Sequence, residues 1–333
     1  MEYNHVIQQL NEKFGIPNSQ IYDFIGTPGE QEYLRLFDYA NNELFRFRKH
    51  GIEPFFIYFA NNSEINAKAT KKNGAYIICL NKGLVEHFNR LFAYFNLSDY
   101  AELSKYQIIE DNIKDKFGEL IFQSTLLFTF FHELGHLIQF IDNPEAEINE
   151  LLSSDFKSIQ SHSVELDADL YSALSLSAQF YQYFDKNYKG EKTEETVKQY
   201  ISILTSSVFL YFLAFNQYRS GYYLKENSHP HPLVRMLSVI THIIQYFEHV
   251  MQIKGQTVKI DKNIVIKETF YISEIFTKRI YSHFDYQLFE TTLSTKFKEI
   301  KEYFDELVAV AQSSPKSAIN RRNIIATTNK HSI

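Results

Sequence analysis

Apolar residues return at three- and four-residue steps along most of this chain, which predicts helices, while a few short stretches carry the pattern of strands. In the longest apolar run, Leu120 to Ile141, the residues Ser124, Thr125, Phe128, Thr129, His132, Glu133 and His136 recur at three- and four-residue steps, so its small and polar side chains share one stripe. Leu, Ile and Phe occupy the other sides, so one stripe faces a site and the rest faces core. Asp142-Asn143-Pro144 is the stop signal, because Pro cannot continue the hydrogen-bond ladder. A second amphipathic helix takes Ser161 or Ser163 as its N-cap and runs through Leu170, Leu174, Ala178 and Tyr181. Ala75 to Leu80 reads as a strand, and Thr257 to Ile266 alternates Val and Ile with Lys and Asp as a further strand or hairpin would. The predicted fold class is mainly α with a small β-sheet, an α+β protein. Its expected organisation is an N-terminal helical segment (1–51), a core (52–250), a mostly helical region packed on that core (251–312) and a flexible tail (313–333). The tail carries Lys316, Arg321, Arg322 and Lys330 and no acids.

Within the long apolar run stand His132-Glu133-Leu134-Gly135-His136. On a helix the two histidines lie four residues apart on one face, so both imidazoles can reach one metal ion, with Glu133 beside them to handle a water proton. Two histidines on a buried helix can also serve packing alone. Gly135 costs about 1 kcal/mol relative to Ala inside a helix, which is reasonable where another backbone or a substrate must pass close by.

A catalytic zinc needs three protein ligands and an open position. The leading candidate for the third is Glu165, in Ser163-Val164-Glu165-Leu166-Asp167-Ala168-Asp169. Glu165 and Asp169 are four apart and share a helical face, so one carboxylate can bind zinc while the other accepts the N–H of a zinc-bound histidine. An acidic first turn favoured by the helix dipole would give the same local sequence. Glu145, Glu147, Asp167 and His162 compete for the ligand role. Asp167 ranks low because it points away from the face shared by Glu165 and Asp169, and its loss should do little.

These residues resemble a family. Glu165-Leu166-Asp167-Ala168-Asp169 is similar to the Glu-x-x-Ala-Asp segment of the gluzincin metallopeptidases, in particular the CAAX-prenyl-endopeptidase and HtpX group and its soluble relatives. Asn66-Ala67-Lys68-Ala69, the strand Ala75 to Leu80 and Gly83-Leu84-Val85 resemble that group's Asn-Ala-x-Ala segment, edge strand and following helix. Ser228-His229-Pro230, with Arg235 six residues after His229, resembles its Ser/Thr-His-Pro segment with a trailing Arg. The matches fall in the family's order over roughly Ile52 to Ile244. A soluble chain of this length with the motif near its middle looks most like the phage-exclusion (Lit-like) peptidases, which are cytoplasmic and cleave elongation factor Tu.

The resemblance implies a zincin-like core with one Zn²⁺ per chain held by His132, His136 and Glu165, and Glu133 as general base. It nominates His229 for the oxyanion, in preference to the neighbouring His231, and makes Arg235 a brace. It also implies that the edge strand, through Tyr76, Ile77, Ile78 and Cys79, binds an extended peptide as an added strand. The expected partner is a protein or peptide substrate, elongation factor Tu by resemblance only.

Composition narrows the setting. The single cysteine, Cys79, rules out an internal disulfide and fits a reducing compartment. The opening residues lack the basic and apolar regions of a secretory signal. A net charge of −6 with scattered Lys and Arg argues against a nucleic-acid surface. No membrane span is expected: Leu120 to Ile141 contains Gln123, His132, Glu133, His136 and Gln139, and Ile201 to Phe215 contains four Ser or Thr. Peripheral membrane contact is left open. The 30 Phe and 23 Tyr, with no Trp, are expected to fill the core. Two rival readings stand beside the zinc endopeptidase: a regulatory metallopeptidase that cleaves a repressor, and a non-enzymatic protein that keeps the zinc motif for structure.

Overall fold

The computed structural model describes residues 2–113, 115–142, 159–216, 221–279 and 285–322. The chain divides into two compact units. Unit 1 comprises Met1–His87, Thr129–Tyr171 and Leu307–Ile333; unit 2 comprises Phe88–Phe128 and Ser172–Glu306. This division crosses the boundaries expected from the sequence. After the helices α3 (Lys82–Phe92) and α4 (Gln107–Asn112) come three long ones, α5 (Phe117–Gln139), α6 (Ile159–Asn187) and α10 (Tyr286–Ser313), each of which contributes residues to both units.

Unit 1 is built on helices α1 (Tyr3–Phe14) and α2 (Glu30–Phe47) and a three-stranded sheet. Strand β1 (Phe55–Ala60) is followed by β2 (Ala67–Lys72) and β3 (Ala75–Asn81), in the spatial order β1-β3-β2. β2 and β3 form a hairpin whose turn, Asn73-Gly74, has φ of 50° and 75°. Positive φ at both central residues matches the right-handed twist of the strands, and Asn and Gly are the residues that tolerate it. β3 runs antiparallel to β2, with Ala67 opposite Leu80, and parallel to β1, with Phe55 opposite Tyr76. Ile57, Phe59, Ile78 and Leu80 bury one face completely. Both α1 and α2 touch β1, and Tyr3, Phe24, Tyr33 and Phe59 pack ring against ring at 4.4 to 6.1 Å.

The sheet order corrects one expectation. β3, with Tyr76, Ile77, Ile78 and Cys79, is the central strand and not an edge, so its backbone groups are taken by neighbours on both sides. Its unbroken apolar run is the signature of a strand covered on both faces. β2 is an edge, and its exposed Lys68 and Lys72 are the kind of charged residues that guard exposed edges.

In unit 2, helix α7 (Glu194–Phe215) packs against α8 (Pro232–Ile253) and α9 (Lys262–Lys278). Hydroxyls link α7 and α9: Thr205 bonds Thr269 at 2.6 Å, and Ser273 of α9 donates to the Ser206 carbonyl of α7 at 3.4 Å. Among the described residues, α7 is the helix long and apolar enough to cross a membrane, and 94% of its apolar window is buried inside the protein.

Two further expectations change. Thr257 to Ile266 is not a strand, because Asp261 accepts the Asn263 N–H and caps α9, and Val265, Ile266 and Thr269 bury its face at helical spacing. The tail expected to be flexible from residue 313 is folded as far as Arg322, where the description ends. Residues 318–322 form a short helical turn in unit 1.

Candidate metal centre

The candidate centre lies in unit 1, where the C-terminal half of α5 meets the N-terminal part of α6. Gly135 permits the approach. A Cβ built on it would stand 3.1 Å from the Cα and 3.3 Å from the Cβ of Ala168. A glycine on one helix and an alanine on the other let the two backbones come together, and they bring the flanking His132, His136 and Glu165 into one group.

The side chains converge. His132 Nε2 and His136 Nε2 are 3.1 Å apart, and the Glu165 carboxylate lies 3.4 Å from the first and 3.6 Å from the second. Zinc bonds of about 2.0–2.1 Å at tetrahedral angles place ligand atoms about 3.3 Å from one another, so the three separations have the size of one face of a zinc site. Two imidazoles and a carboxylate are also a donor set that suits this ion. Among the described residues, these three form the group of His, Cys, Asp and Glu close enough to hold a metal. All are buried, at 4%, 3% and 7% exposure, and Glu133 beside them is 3% exposed.

The remaining ring nitrogens are held from behind. His132 Nδ1 lies 3.0 Å from Asp169 Oδ1, and His136 Nδ1 lies 2.9 Å from Gln139 Oε1. A histidine that donates through Nδ1 presents Nε2 as the acceptor that a metal needs. Electrostatics separates the two rings. Burial by itself lowers the His132 pKa, but the hydrogen-bonded Asp169 and Glu165 carboxylates outweigh it and raise the value to about 9. For His136 burial dominates and lowers it to about 4. The Cys79 thiol of β3 is pushed up to about 11, chiefly by burial and in part by the charge of Glu133. It is a protonated, unreactive neighbour of the site.

The structure thus brings His132, His136 and Glu165 together as the sequence predicted, with Asp169 behind His132. Helix α6 begins at Ile159, so Ser161 and Ser163 are inside it and not caps, and Glu165 sits in its second turn. The competing ligands Glu145 and Glu147, and Pro144 of the stop signal, lie outside the described residues. His162 is buried but is not a member of the three-residue group.

Asp167 differs from expectation. It is not in the metal group either, yet it is far from idle. Its carboxylate accepts from Gln139 Nε2 at 2.8 Å, from the Ser317 hydroxyl at 2.7 Å, and from the backbone N–H of Ala318 at 2.6 Å and Ile319 at 3.4 Å. Sequence reasoning missed Gln139 and the 317–319 turn. Gln139 stands three residues after His136 on the same helical face, a signal available in the sequence; the turn is 150 positions from Asp167, and no local pattern announces it.

His229 and Arg235 belong to unit 2. They line a cavity of about 170 Å³ with Phe212, Phe215, Tyr223 and Pro232. His229 is exposed and shares a 2.9 Å hydrogen bond with Ser228. Arg235 is buried, its guanidinium 4.3 Å above the Phe212 ring. His231 is the N-cap of α8, accepting the Leu233 N–H at Nδ1. No protein family, no curated protein and no solved structure matches this chain.

Proposed function

We propose that this protein is a zinc-dependent endopeptidase of the gluzincin type. The observation that carries the reading is the buried group of His132, His136 and Glu165, with separations of 3.1 to 3.6 Å between its ligand atoms. A zinc ion held there supplies Lewis-acid polarisation of a scissile carbonyl and acidifies a water. Glu133, next to His132 on α5, takes the proton of the attacking water at its carboxylate and returns it to the leaving amine. Asp169 and Gln139 hold the two imidazoles in the tautomer that keeps Nε2 available. His229 is proposed as the donor to the developing oxyanion, and Arg235 as a brace, on the family resemblance alone.

Three ligands are the number that leaves a position open for chemistry, whereas a structural zinc takes four. The group has three members among the described residues, the number that a catalytic zinc takes from its protein. The subfamily reading, a cytoplasmic protease of the phage-exclusion or stress-defence type with a protein substrate such as elongation factor Tu, rests on the resemblance; a repressor-cleaving peptidase is the alternative.

The test is to express the wild type beside Glu133→Gln and search the host proteome for new protein termini. Gln keeps the shape of Glu133 but cannot accept the proton. Termini that appear with the wild type only support the reading. Metal-loaded wild type that generates none beyond those of the variant overturns it.

A further inference from the structure

We infer that Gln139, Asp167 and the turn Ser317–Ile319 form a positioning chain for His136, so that the C-terminal segment helps to set the metal affinity of the site. This rests on the reading of His132, His136 and Glu165 as a metal site.

The orientation of the Gln139 amide is fixed by its surroundings. Its Nε2 faces two acceptors, Asp167 Oδ2 at 2.8 Å and the Val164 carbonyl at 3.0 Å. An amide nitrogen donates and cannot accept, so the nitrogen occupies that side and Oε1 must turn toward His136 Nδ1, 2.9 Å away. His136 therefore donates from Nδ1, and Nε2 keeps its lone pair toward Glu165 and His132. Flipping the amide would set N–H against N–H on one side and oxygen against two oxygens on the other.

Asp167 is held in turn from the C-terminal segment. Ser317 and the first amides of the helical turn at 318–322 donate to its carboxylate, the arrangement in which a helix N-terminus receives an acid, here from a different helix. Ser317 also accepts the Asn320 N–H at 3.2 Å and so caps the same turn. At the other end of the turn Arg321 donates to the Ile138 carbonyl at 2.7 Å and pairs with Asp142, both just past the metal-binding stretch of α5. The segment thus grips α5 through Arg321 and α6 through Asp167. Gln139 links the two grips to the ring of His136.

The test uses the full chain and reads metal, not activity. Zinc affinity is measured by chelator competition and the ligand field by the visible spectrum of the Co²⁺ form, for wild type, Gln139→Met, Asp167→Ala, Ser317→Ala and the two double variants that combine Gln139→Met with each of the others. Gln139→Met keeps length and volume while removing the acceptor. It is expected to weaken zinc binding about 10- to 100-fold and to shift the Co²⁺ bands. Asp167→Ala and Ser317→Ala are expected to weaken it by smaller factors, and those losses should disappear in the Gln139→Met background, because the two residues act through Gln139. Losses that simply add would show that Asp167 and Ser317 act on general stability and would overturn the chain. Unchanged affinity in Gln139→Met would do the same. Wild type that binds no stoichiometric metal would instead remove the metal site itself, a distinct failure. If Asp167→Ala does not fold, Ser317→Ala and Gln139→Met decide the matter.

Discussion

Gly135 on α5 stands directly against the backbone of Ala168 on α6, with room for hydrogen but a Cβ separation of only 3.1 Å to the Ala168 Cα. Gly135→Ala gains about 1 kcal/mol of helix propensity, but the contact it makes is with backbone, which cannot swing aside. The expected result is a lower melting temperature for the metal-free protein and weaker zinc binding, because the helices that carry His136 and Glu165 must move apart. A variant that melts higher and binds zinc as well as the wild type would show that the close approach is not what holds the site together.

Zinc content should be close to one per chain and should be lost in the double variant His132→Ala/His136→Ala. Glu165→Ala should cost more affinity than Asp169→Ala, for which a loss of about 10- to 100-fold is expected, since Asp169 acts only through the His132 ring. Measured dissociation constants in the reverse order would move the third ligand away from Glu165.

The metal group was legible because its residues repeat locally. His132 and His136 share a face by their spacing, as do Glu165 and Asp169, and only the meeting of two helices had to be supplied by the fold. What supports the group was not legible. The wheel position that turns Asp167 away from the metal aims its carboxylate at Gln139 and at a turn 150 residues later, which local spacing does not reveal. The resemblance makes β3 an edge, whereas its continuous Tyr76-Ile77-Ile78 run suits the middle of a sheet, where it lies. Thr257 to Ile266 alternates like a strand, but Asp261 at a capping position outweighs four apolar residues on alternating positions.

Lys71 offers a separate test of how the sheet supports α5. It is 7% exposed, and its ammonium donates to the carbonyls of Phe140 at 3.2 Å and Ile141 at 3.0 Å, past the last turn of the helix. A cation there satisfies terminal carbonyls and opposes the negative end of the helix dipole. Lys71→Met keeps the apolar stem and should cost roughly 1–3 kcal/mol of unfolding free energy in a denaturant titration. A change within about 0.5 kcal/mol, the range of ordinary surface substitutions, would show that the contact contributes little.

Acid should act on α8 through His231. Burial lowers its pKa to about 4 from an ordinary 6.5, with the Gly221 carbonyl opposing in part. The fold therefore favours the neutral ring. Its contribution is full above pH 6.5 and is lost as pH falls through the window down to about 4, where Nδ1 gains a proton and can no longer accept the Leu233 N–H. His231→Asn retains a capping acceptor that does not titrate. The difference in stability between wild type and variant should shift in favour of the variant between pH 6.5 and 4; a difference independent of pH would exclude His231 as the titrating group.

The grip of Ser317–Ile319 on Asp167 also bears on the order in which the molecule forms. It closes a loop of 150 residues, and contacts so distant in sequence pay their chain entropy before they return any stabilisation, so they form after local helices have paired. The two histidines on α5 are within one helical turn of each other and can meet a metal ion early. Glu165 joins them when α5 and α6 pair, and the C-terminal turn last. Metal capture by this chain is then expected to be biphasic during refolding, a fast weak phase from the helical histidine pair and a slow tightening whose rate is that of the C-terminal segment reaching home.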